Sequence, residues 1–197
     1  MHRNNWKSLF RGTHAMKGPS IRLLLLGLAL LAPAAAGRAQ DEGLASALAI
    51  LPTSQQKAQA WLYVTEAPPA GWEKPDFNDA SWKKGPGGFG TRGTPGAEVR
   101  TEWRTSDIWL RQTFKLASPP TADARLLVHH DDDAEIYLNG VLAAKLGGCT
   151  VSYEAVPIQE AARKALKAGK NTIAVHCHQE EGDRFVDVAL LVENAAR

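Results

Sequence analysis

The chain has 197 residues and carries 23 basic and 21 acidic ones, a formal net charge of +2. Residues 1–39 contain six of the basic residues and no acidic one, so the remainder holds 17 basic and 21 acidic residues, a net charge of −4. A mildly acidic chain without a basic cluster excludes nucleic acid as the expected partner.

Residues 1–39 have the composition of an export signal. A basic start is followed by the apolar run 23–33 and by small residues at 34–36. This order is typical of a secretory signal peptide, with cleavage after Ala36 or Ala39. The apolar run is too short to span a bilayer as a helix. We therefore expect a secreted or periplasmic protein that has no membrane contact after cleavage.

Residues 40–57 form a lead-in segment, in which 41–51 predict a weak helix that ends before Pro52. Residues 60–64 (AWLYV) predict a first strand. The following segment, 65–107, is so rich in glycine and proline that a helix is excluded. We expect its aromatic side chains to pack onto the folded domain, since so much apolar area is costly to leave in water. They are Trp72, Phe77, Trp82, Phe89 and Trp103.

The clearest strand covers residues 108–116, where apolar residues alternate with the opposite face that carries Trp109 and Arg111. Residues 124–130 predict another strand. A hairpin follows over 133–146, because Asn139-Gly140 separates two alternating runs and favours a two-residue turn.

Residues 158–168 predict one short helix, and 171–179 and 184–193 predict two further strands. Mostly short strands, long loops and a single small helix indicate an all-β fold. The sequence thus predicts a jelly-roll β-sandwich of about eight strands and one short helix, formed by residues 58–195.

Four segments together resemble a known family. They are GWEKPDFNDASWKKGPGGFG (71–90), TSDIWLRQTFKL (105–116), VHHDDDAEIYLNG (128–140) and NTIAVHCHQ with FVDVALL (171–191). In this order they are similar to the galactose-binding-like jelly roll, which is the sugar-binding domain of family 2 β-galactosidases and β-glucuronidases. The same domain is an accessory module of exported bacterial proteins. The resemblance covers residues 58–193 and indicates the fold more specifically than the ligand.

The resemblance implies a non-catalytic accessory domain that binds carbohydrate, because the family keeps its catalytic carboxylates in a separate barrel domain. The sequence also lacks the G-x-S-x-G motif of many hydrolases and has no evident pair of carboxylates for glycoside hydrolysis. A structural or protein-interaction module is the alternative, since a fold alone does not fix function.

Candidate ligand-binding residues combine an aromatic ring with polar neighbours. Sugars present apolar C–H faces that stack on aromatic rings, while polar side chains fix their hydroxyl groups. Trp109 is the leading candidate for stacking, although the 65–107 segment could instead cover it. The full candidate set is Trp109, Arg111, His130, Asp131, Asp132, Tyr137, His176 and His178.

The run of acids at 131–133 suggests a cation, because adjacent carboxylates repel each other unless they are neutralised. Asp131 and Asp132 are candidate ligands of a structural Ca²⁺, the one cofactor expected; the alternative is a solvated turn. His176 and His178 also form an H-x-H pair, with which the metal sites of cupin jelly rolls begin. A cupin-like metal-dependent protein is therefore a distant alternative.

The two cysteines of the chain, Cys149 and Cys177, allow one disulfide in an oxidising compartment. Cys177 lies in the apolar phase of its strand, so it also fits a small buried hydrophobe. Both interpretations stay open from the sequence.

Overall fold

A computed structural model describes residues 47–120 and 124–193, so the predicted signal peptide lies outside the described residues. The fold is an all-β sandwich of two sheets, as predicted. The described strands are β1 Ala47–Leu51, β2 Ala60–Val64, β3 Lys83–Pro86, β4 Phe89–Gly90, β5 Thr101–Glu102, β6 Asp107–Leu116, β7 Arg125–Asp131, β8 Asp133–Leu138, β9 Val141–Leu146, β10 Glu154–Pro157, β11 Gly169–His178 and β12 Phe185–Glu193. One described helix, α1, covers Glu160–Ala165.

The first sheet has the order β10-β7-β12-β4-β5, and β1 pairs with β12. The second sheet has the order β3-β2-β6-β11-β8-β9. More strands are present than the eight predicted, chiefly because three short strands lie within the glycine-rich segment 65–107. A Gly-Pro-rich segment gives no periodic signal by which strands of two to four residues could be recognised.

The core lies between the two sheets and is formed by alternate residues of the long strands. Their side chains are buried and belong to one apolar cluster: Ile108, Leu110, Leu126, Val128, Ile136, Ile173, Val175, Val186, Val188 and Leu190. The predicted alternation of β6, β8 and β11 is confirmed by this burial. The aromatic residues predicted to pack onto the sandwich do so, since Trp82, Phe89 and Trp103 are buried and Trp72 and Phe77 are half-buried.

The β8–β9 hairpin forms as predicted. Asn139 (φ +49°) and Gly140 (φ +85°) both adopt the left-handed backbone that a tight two-residue turn requires. The Asn139 amide also donates hydrogen bonds to the Ala165 carbonyl and to Asn171 Oδ1, both at 2.8 Å. The turn therefore fastens the end of α1 to β11.

The weak helix predicted for 41–51 is wrong where the structure describes it. Residues 47–51 form β1, which pairs antiparallel with β12; residues 41–46 lie outside the described part. The run Ala-Leu-Ala-Ile-Leu has no strong preference of its own, and the open edge of β12 provides backbone partners that decide its conformation.

One loop covers part of the outer face of the second sheet. We call residues 71–82 the strap. Trp72 packs edge-on against Tyr137 of β8 at 5.7 Å between ring centroids. Farther along the sheet, Lys74 approaches Gly140 closely enough that a Cβ there would lie 3.3 Å from the lysine side chain. The strap thus crosses from β6 to the β8–β9 turn.

Arg111 fastens the strap to β6. Its Nε donates to Asp79 Oδ2 at 2.8 Å, and its Nη1 donates to the carbonyls of Trp72 and Lys74. The guanidinium also lies 5.4 Å from the centre of the Phe77 ring. Although β6 directs Arg111 to the same face as Trp109, as the alternation predicts, its side chain is only 2% exposed. The strap therefore covers most of Arg111, and the predicted role of this residue in ligand binding stays a prediction.

We expect Arg111→Ala to lower the free energy of unfolding by about 2 to 3 kcal/mol, because it leaves the Asp79 carboxylate and the Trp72 carbonyl without their donor. Urea denaturation followed by tryptophan fluorescence measures this loss. Arg104→Ala is the matched control: it removes an exposed ion pair with Glu102 of similar length, 2.7 Å, and should change stability by less than about 1 kcal/mol. Equal losses in the two variants would contradict the role given to Arg111.

Candidate functional site

The register of the second sheet places several predicted site residues on one outer face. β11 lies between β6 and β8, with His176 opposite Trp109 on one side and Glu135 on the other. His178 lies in the same way between Asp107 and Asp133. Because side chains alternate along a strand, all of these point away from the core. We call the surface formed by these side chains and their neighbours on the same face the strip.

Two rings stand together at the centre of the strip. The indole of Trp109 and the imidazole of His176 are stacked, with 4.6 Å between ring centroids and 7° between ring planes. Trp109 is half-buried, so the strap does not cover it as it covers Arg111. The imidazole therefore covers one face of the indole, and the other face of the indole remains for contact with a ligand.

A single carboxylate oxygen joins the two histidines. Asp107 Oδ1 lies 2.8 Å from His176 Nε2 and 2.9 Å from His178 Nδ1. Partial burial acts to raise the pKa of Asp107, but its two imidazole hydrogen bonds outweigh this effect and hold the pKa below its usual value. The hydrogen bond that His178 donates to Asp107 raises the pKa of His178. The two shifts together favour an ionic contact between Asp107 and His178 at mildly acidic pH.

Glu135 forms the other polar side of the strip. It accepts hydrogen bonds from Lys145 Nζ and from the Tyr137 hydroxyl, each at 2.7 Å. These bonds, with Lys145 the larger contribution, lower the pKa of Glu135. Burial and the bond to Glu135 raise the pKa of Tyr137 to about 12, so its hydroxyl stays protonated and serves as a donor.

The strip therefore unites four of the predicted residues: Trp109, Tyr137, His176 and His178. Asp107, Glu135 and Lys145 also belong to it but were not predicted. Glu135 could have been found from the alternation of β8, since it shares the outward phase with Tyr137. Asp107 could not, because its role depends on the pairing of β6 with β11, which no local pattern reveals.

The other predicted residues lie elsewhere. His130 has the inward phase of β7, is buried, and contacts the Asp132 carbonyl through Nδ1. Asp131 and Asp132 follow at the β7–β8 turn, at the end of the sandwich. Asp132 Oδ2 accepts a hydrogen bond from the backbone N–H of Glu180 at 2.7 Å.

The carboxylates of Asp131 and Asp132 have opposite pKa shifts. Burial, together with its contact to Asp132, raises the pKa of Asp131 to about 6. Burial also acts to raise the pKa of Asp132, but hydrogen bonds from the Glu180 and Glu181 N–H groups outweigh it and the net shift is downward. The neighbouring acids thus reduce their repulsion by retaining a proton on Asp131 up to mildly acidic pH.

Asp131, Asp132 and Cys149 bring one potential ligand atom each to within 4.8 Å of one another. Ca²⁺ takes six to eight oxygen ligands, and a thiol is not among its preferred donors. Two carboxylates and a thiol are therefore a partial match to the predicted calcium site, which stays a prediction.

The H-x-H pair meets one carboxylate on the surface. Cys177, between the two histidines, faces the core, so both imidazoles lie on the outer surface of the sandwich. Each points a nitrogen at Asp107 Oδ1. Among the described residues, the ligand atoms of these three side chains do not all lie within 4.8 Å of one another, and the cupin-like alternative stays a prediction.

The disulfide left open by the sequence is not formed, and both cysteines are free thiols. Cys149 is exposed in the β9–β10 loop, whereas Cys177 is completely buried in the core. The alternation of β11 directs Cys177 between the sheets, away from the surface loop that carries Cys149. Burial raises the pKa of the Cys177 thiol well above its usual value.

No model of a known protein family matches the chain, and no curated protein is found to match it. Solved structures are similar to part of it. A glycosyl hydrolase family 2 member from Bacteroides cellulosilyticus is 17% identical over 67% of this chain and 20% of its own, with a TM-score of 0.47. A β-glycosidase from Bacteroides vulgatus is 16% identical over 73% of this chain and 20% of its own, with a TM-score of 0.46.

A β-glucuronidase of glycoside hydrolase family 2 is 17% identical over 74% of this chain and 17% of its own, with a TM-score of 0.44. The chain thus spans about a fifth of the length of the first two proteins. The first and third belong to the family that the sequence motifs resemble. Within residues 47–120 and 124–193, no helix has the length and apolar character of a membrane span.

Thiol labelling tests the free cysteines. We expect Ellman's reagent to modify one cysteine in the folded protein and two after denaturation, because burial excludes the reagent from Cys177. Cys149→Ser should remove the fast reaction, while Cys177→Ala should keep it. A non-reducing digest that links the two cysteines in one peptide pair would contradict this assignment.

Asp107→Asn should lower the pKa of His178 towards 6.5, because the carboxylate that stabilises the imidazolium is lost. The ionic contact adds stability mainly between about pH 4 and 6.5, above the ordinary pKa of Asp and below that of His. It is lost at lower pH as Asp107 is protonated and at higher pH as His178 is deprotonated. NMR titration of the histidine ring protons measures the shift.

Asp133→Asn is the matched control, since Asp133 lies on the opposite side of His178 and contributes least to its raised pKa. A smaller shift is expected there than in Asp107→Asn. If the His178 titration were unchanged in Asp107→Asn, the assigned contact would be wrong.

Proposed function

We propose that the chain is an exported, non-catalytic carbohydrate-binding module whose ligand lies on the strip. The observation that supports the proposal is the Trp109–His176 stack, in which His176 packs on one face of the indole and polar groups lie beside the half-buried ring. Carbohydrate recognition needs both parts, apolar contact for the ring and placed donors and acceptors for the hydroxyl groups.

The polar groups of the strip are held in place by one another. Asp107 is fixed by two histidines, and Glu135 is fixed by Lys145 and Tyr137. Fixed groups lose little conformational entropy when a ligand binds, so weak individual contacts can still add up to specific binding. The exposed parts of Lys145 and His178 provide additional donors.

The electrostatics of the strip favour binding over hydrolysis. A glycosidase needs one carboxylic acid with a raised pKa to protonate the leaving group. The carboxyl groups of Asp107 and Glu135 both have lowered pKa values and are ionised near neutral pH. The pKa of Asp131 is raised, but its carboxylate lies less than 4.8 Å from that of Asp132, closer than the two carboxylates of a glycosidase.

A protein-interaction module receives less support from the surface. Among the described residues, the exposed large hydrophobic side chains are Leu48 and Val151. They occur singly and form no contiguous apolar patch of the kind that marks most protein interfaces.

Trp109→Ala should weaken the binding of neutral polysaccharides at least tenfold, because it removes the largest apolar surface of the strip. A screen of neutral glycans followed by isothermal titration calorimetry measures the change. Lys115→Ala is the control, since Lys115 lies on the same face of the same strand beyond the strap. The proposal fails if no neutral glycan binds more tightly than the millimolar range. It also fails if Trp109→Ala and Lys115→Ala bind the glycan equally well.

A further inference from the structure

A recess lies on the same outer face as the strip, on the other side of the strap from Trp109. It has a volume of about 390 Å³, within the size range of small-molecule sites. Its lining comes from four adjacent strands and the strap, including Ala60, Leu62, Asp79, Lys84, Arg111, Thr113 and Lys170. We call it the groove.

Arg111 supplies the most ordered polar group of the groove. Nε and Nη1 donate to Asp79 and to strap carbonyls, as described above. Nη2 donates to no other group among the described residues, although Arg111 is almost completely buried and lines the groove. The guanidinium is thus held in place by its three acceptors, and Nη2 can donate a hydrogen bond to an anionic group.

Two lysines stand on opposite sides of the groove. Lys84 of β3 lies in the row of Leu62 and Arg111, whereas Lys170 of β11 lies opposite Lys115, four residues farther along β6. Three strand spacings across the sheet and four residues along it place their backbones about 20 Å apart. Both are exposed. Within the described part of the chain, neither has a carboxylate within 4 Å, whereas the charge of Arg111 is balanced by Asp79. The groove therefore carries an excess of two positive charges.

The remaining lining suits a sugar ring. Ala60 and Leu62 of β2 give an apolar surface between the lysines, and the hydroxyl of Thr113 lies on the exposed face of β6. Apolar surface, one hydroxyl and two lysines without a carboxylate partner describe a site for a ligand that contains a sugar ring and carries negative charge.

We propose that the groove binds an anionic saccharide of at least two sugar units, in which one carboxylate or sulfate group contacts Lys84 and Nη2 of Arg111, a second contacts Lys170, and a ring lies on Ala60 and Leu62. A uronic acid unit and a sulfated sugar unit share this chemistry. The inference does not depend on neutral glycan binding at the strip, because the strap separates the two surfaces.

Calorimetry on the full chain tests the groove with three probes: a uronic acid oligosaccharide, its carboxyl-reduced neutral counterpart, and a sulfated oligosaccharide of similar length. We expect at least one anionic probe to bind at least tenfold more tightly than the neutral one. Its affinity should fall as salt is added, since ion contacts are screened. Comparison of the two anionic probes identifies which group the groove prefers.

The double variant Lys84→Gln, Lys170→Gln should bind the preferred anionic probe at least tenfold more weakly. Both residues are exposed, so the variant is expected to fold, which thermal unfolding confirms independently. Lys83→Gln is the matched control: Lys83 is the exposed neighbour of Lys84 on β3 but does not line the groove. Trp109→Ala should also leave this binding unchanged.

The proposal is overturned if none of the anionic probes binds or if the neutral probe binds as tightly as the anionic ones. It is also overturned if Lys83→Gln weakens binding as much as the double variant does. If the anionic probe binds but Trp109→Ala abolishes its binding, the ligand lies on the strip and the groove assignment is wrong. Loss of neutral glycan binding alone would count against the strip and leave the groove proposal intact.

Discussion

The buried guanidinium of Arg111 organises the whole outer face of the second sheet. A charge that is only 2% exposed is stable only when it is paired and hydrogen-bonded, and Asp79 and two carbonyls of the strap meet this requirement. The strap gains a donor in return, because Arg111 donates to the Trp72 carbonyl and shares the Lys74 carbonyl with the backbone N–H of Phe77. Arg111 thus fixes where the strap crosses the sheet, and this crossing separates the strip from the groove.

Local periodicity predicted the faces of the strands well, because alternation depends only on neighbouring residues. It placed Trp109, Arg111, Tyr137 and His176 correctly on one side of the sheet. It could not predict that Arg111 is buried, since that depends on a loop 30 to 40 positions earlier in the chain. The meeting of Asp107 with two histidines about 70 positions away is equally invisible to local pattern.

Tertiary contacts also explain why residues 47–51 form a strand. After β1, the backbone N–H of Ser54 donates to the buried carboxylate of Asp187 at 2.6 Å, and the Tyr153 hydroxyl donates to the same oxygen. Burial raises the pKa of Asp187, although these hydrogen bonds oppose it. From the sequence, Asp187 is one acid among many. In the fold, it holds the end of β1 and the loop before β10 against β12, a long-range role that helix propensity near residue 50 cannot reveal.

The two sides of the strap differ in how their charges are paired. On the strip, Glu135 contacts Lys145 and Asp107 contacts two histidines, whereas Lys84 and Lys170 of the groove have no carboxylate within 4 Å among the described residues. An anionic ligand is therefore attracted more strongly by the groove than by the strip, while a neutral sugar experiences neither effect strongly. On β6, Trp109 and Thr113 are four residues apart, about 13 Å. The strap and its neutral Arg111–Asp79 pair lie between the charges of the strip and those of the groove. Each surface can therefore select its ligand independently.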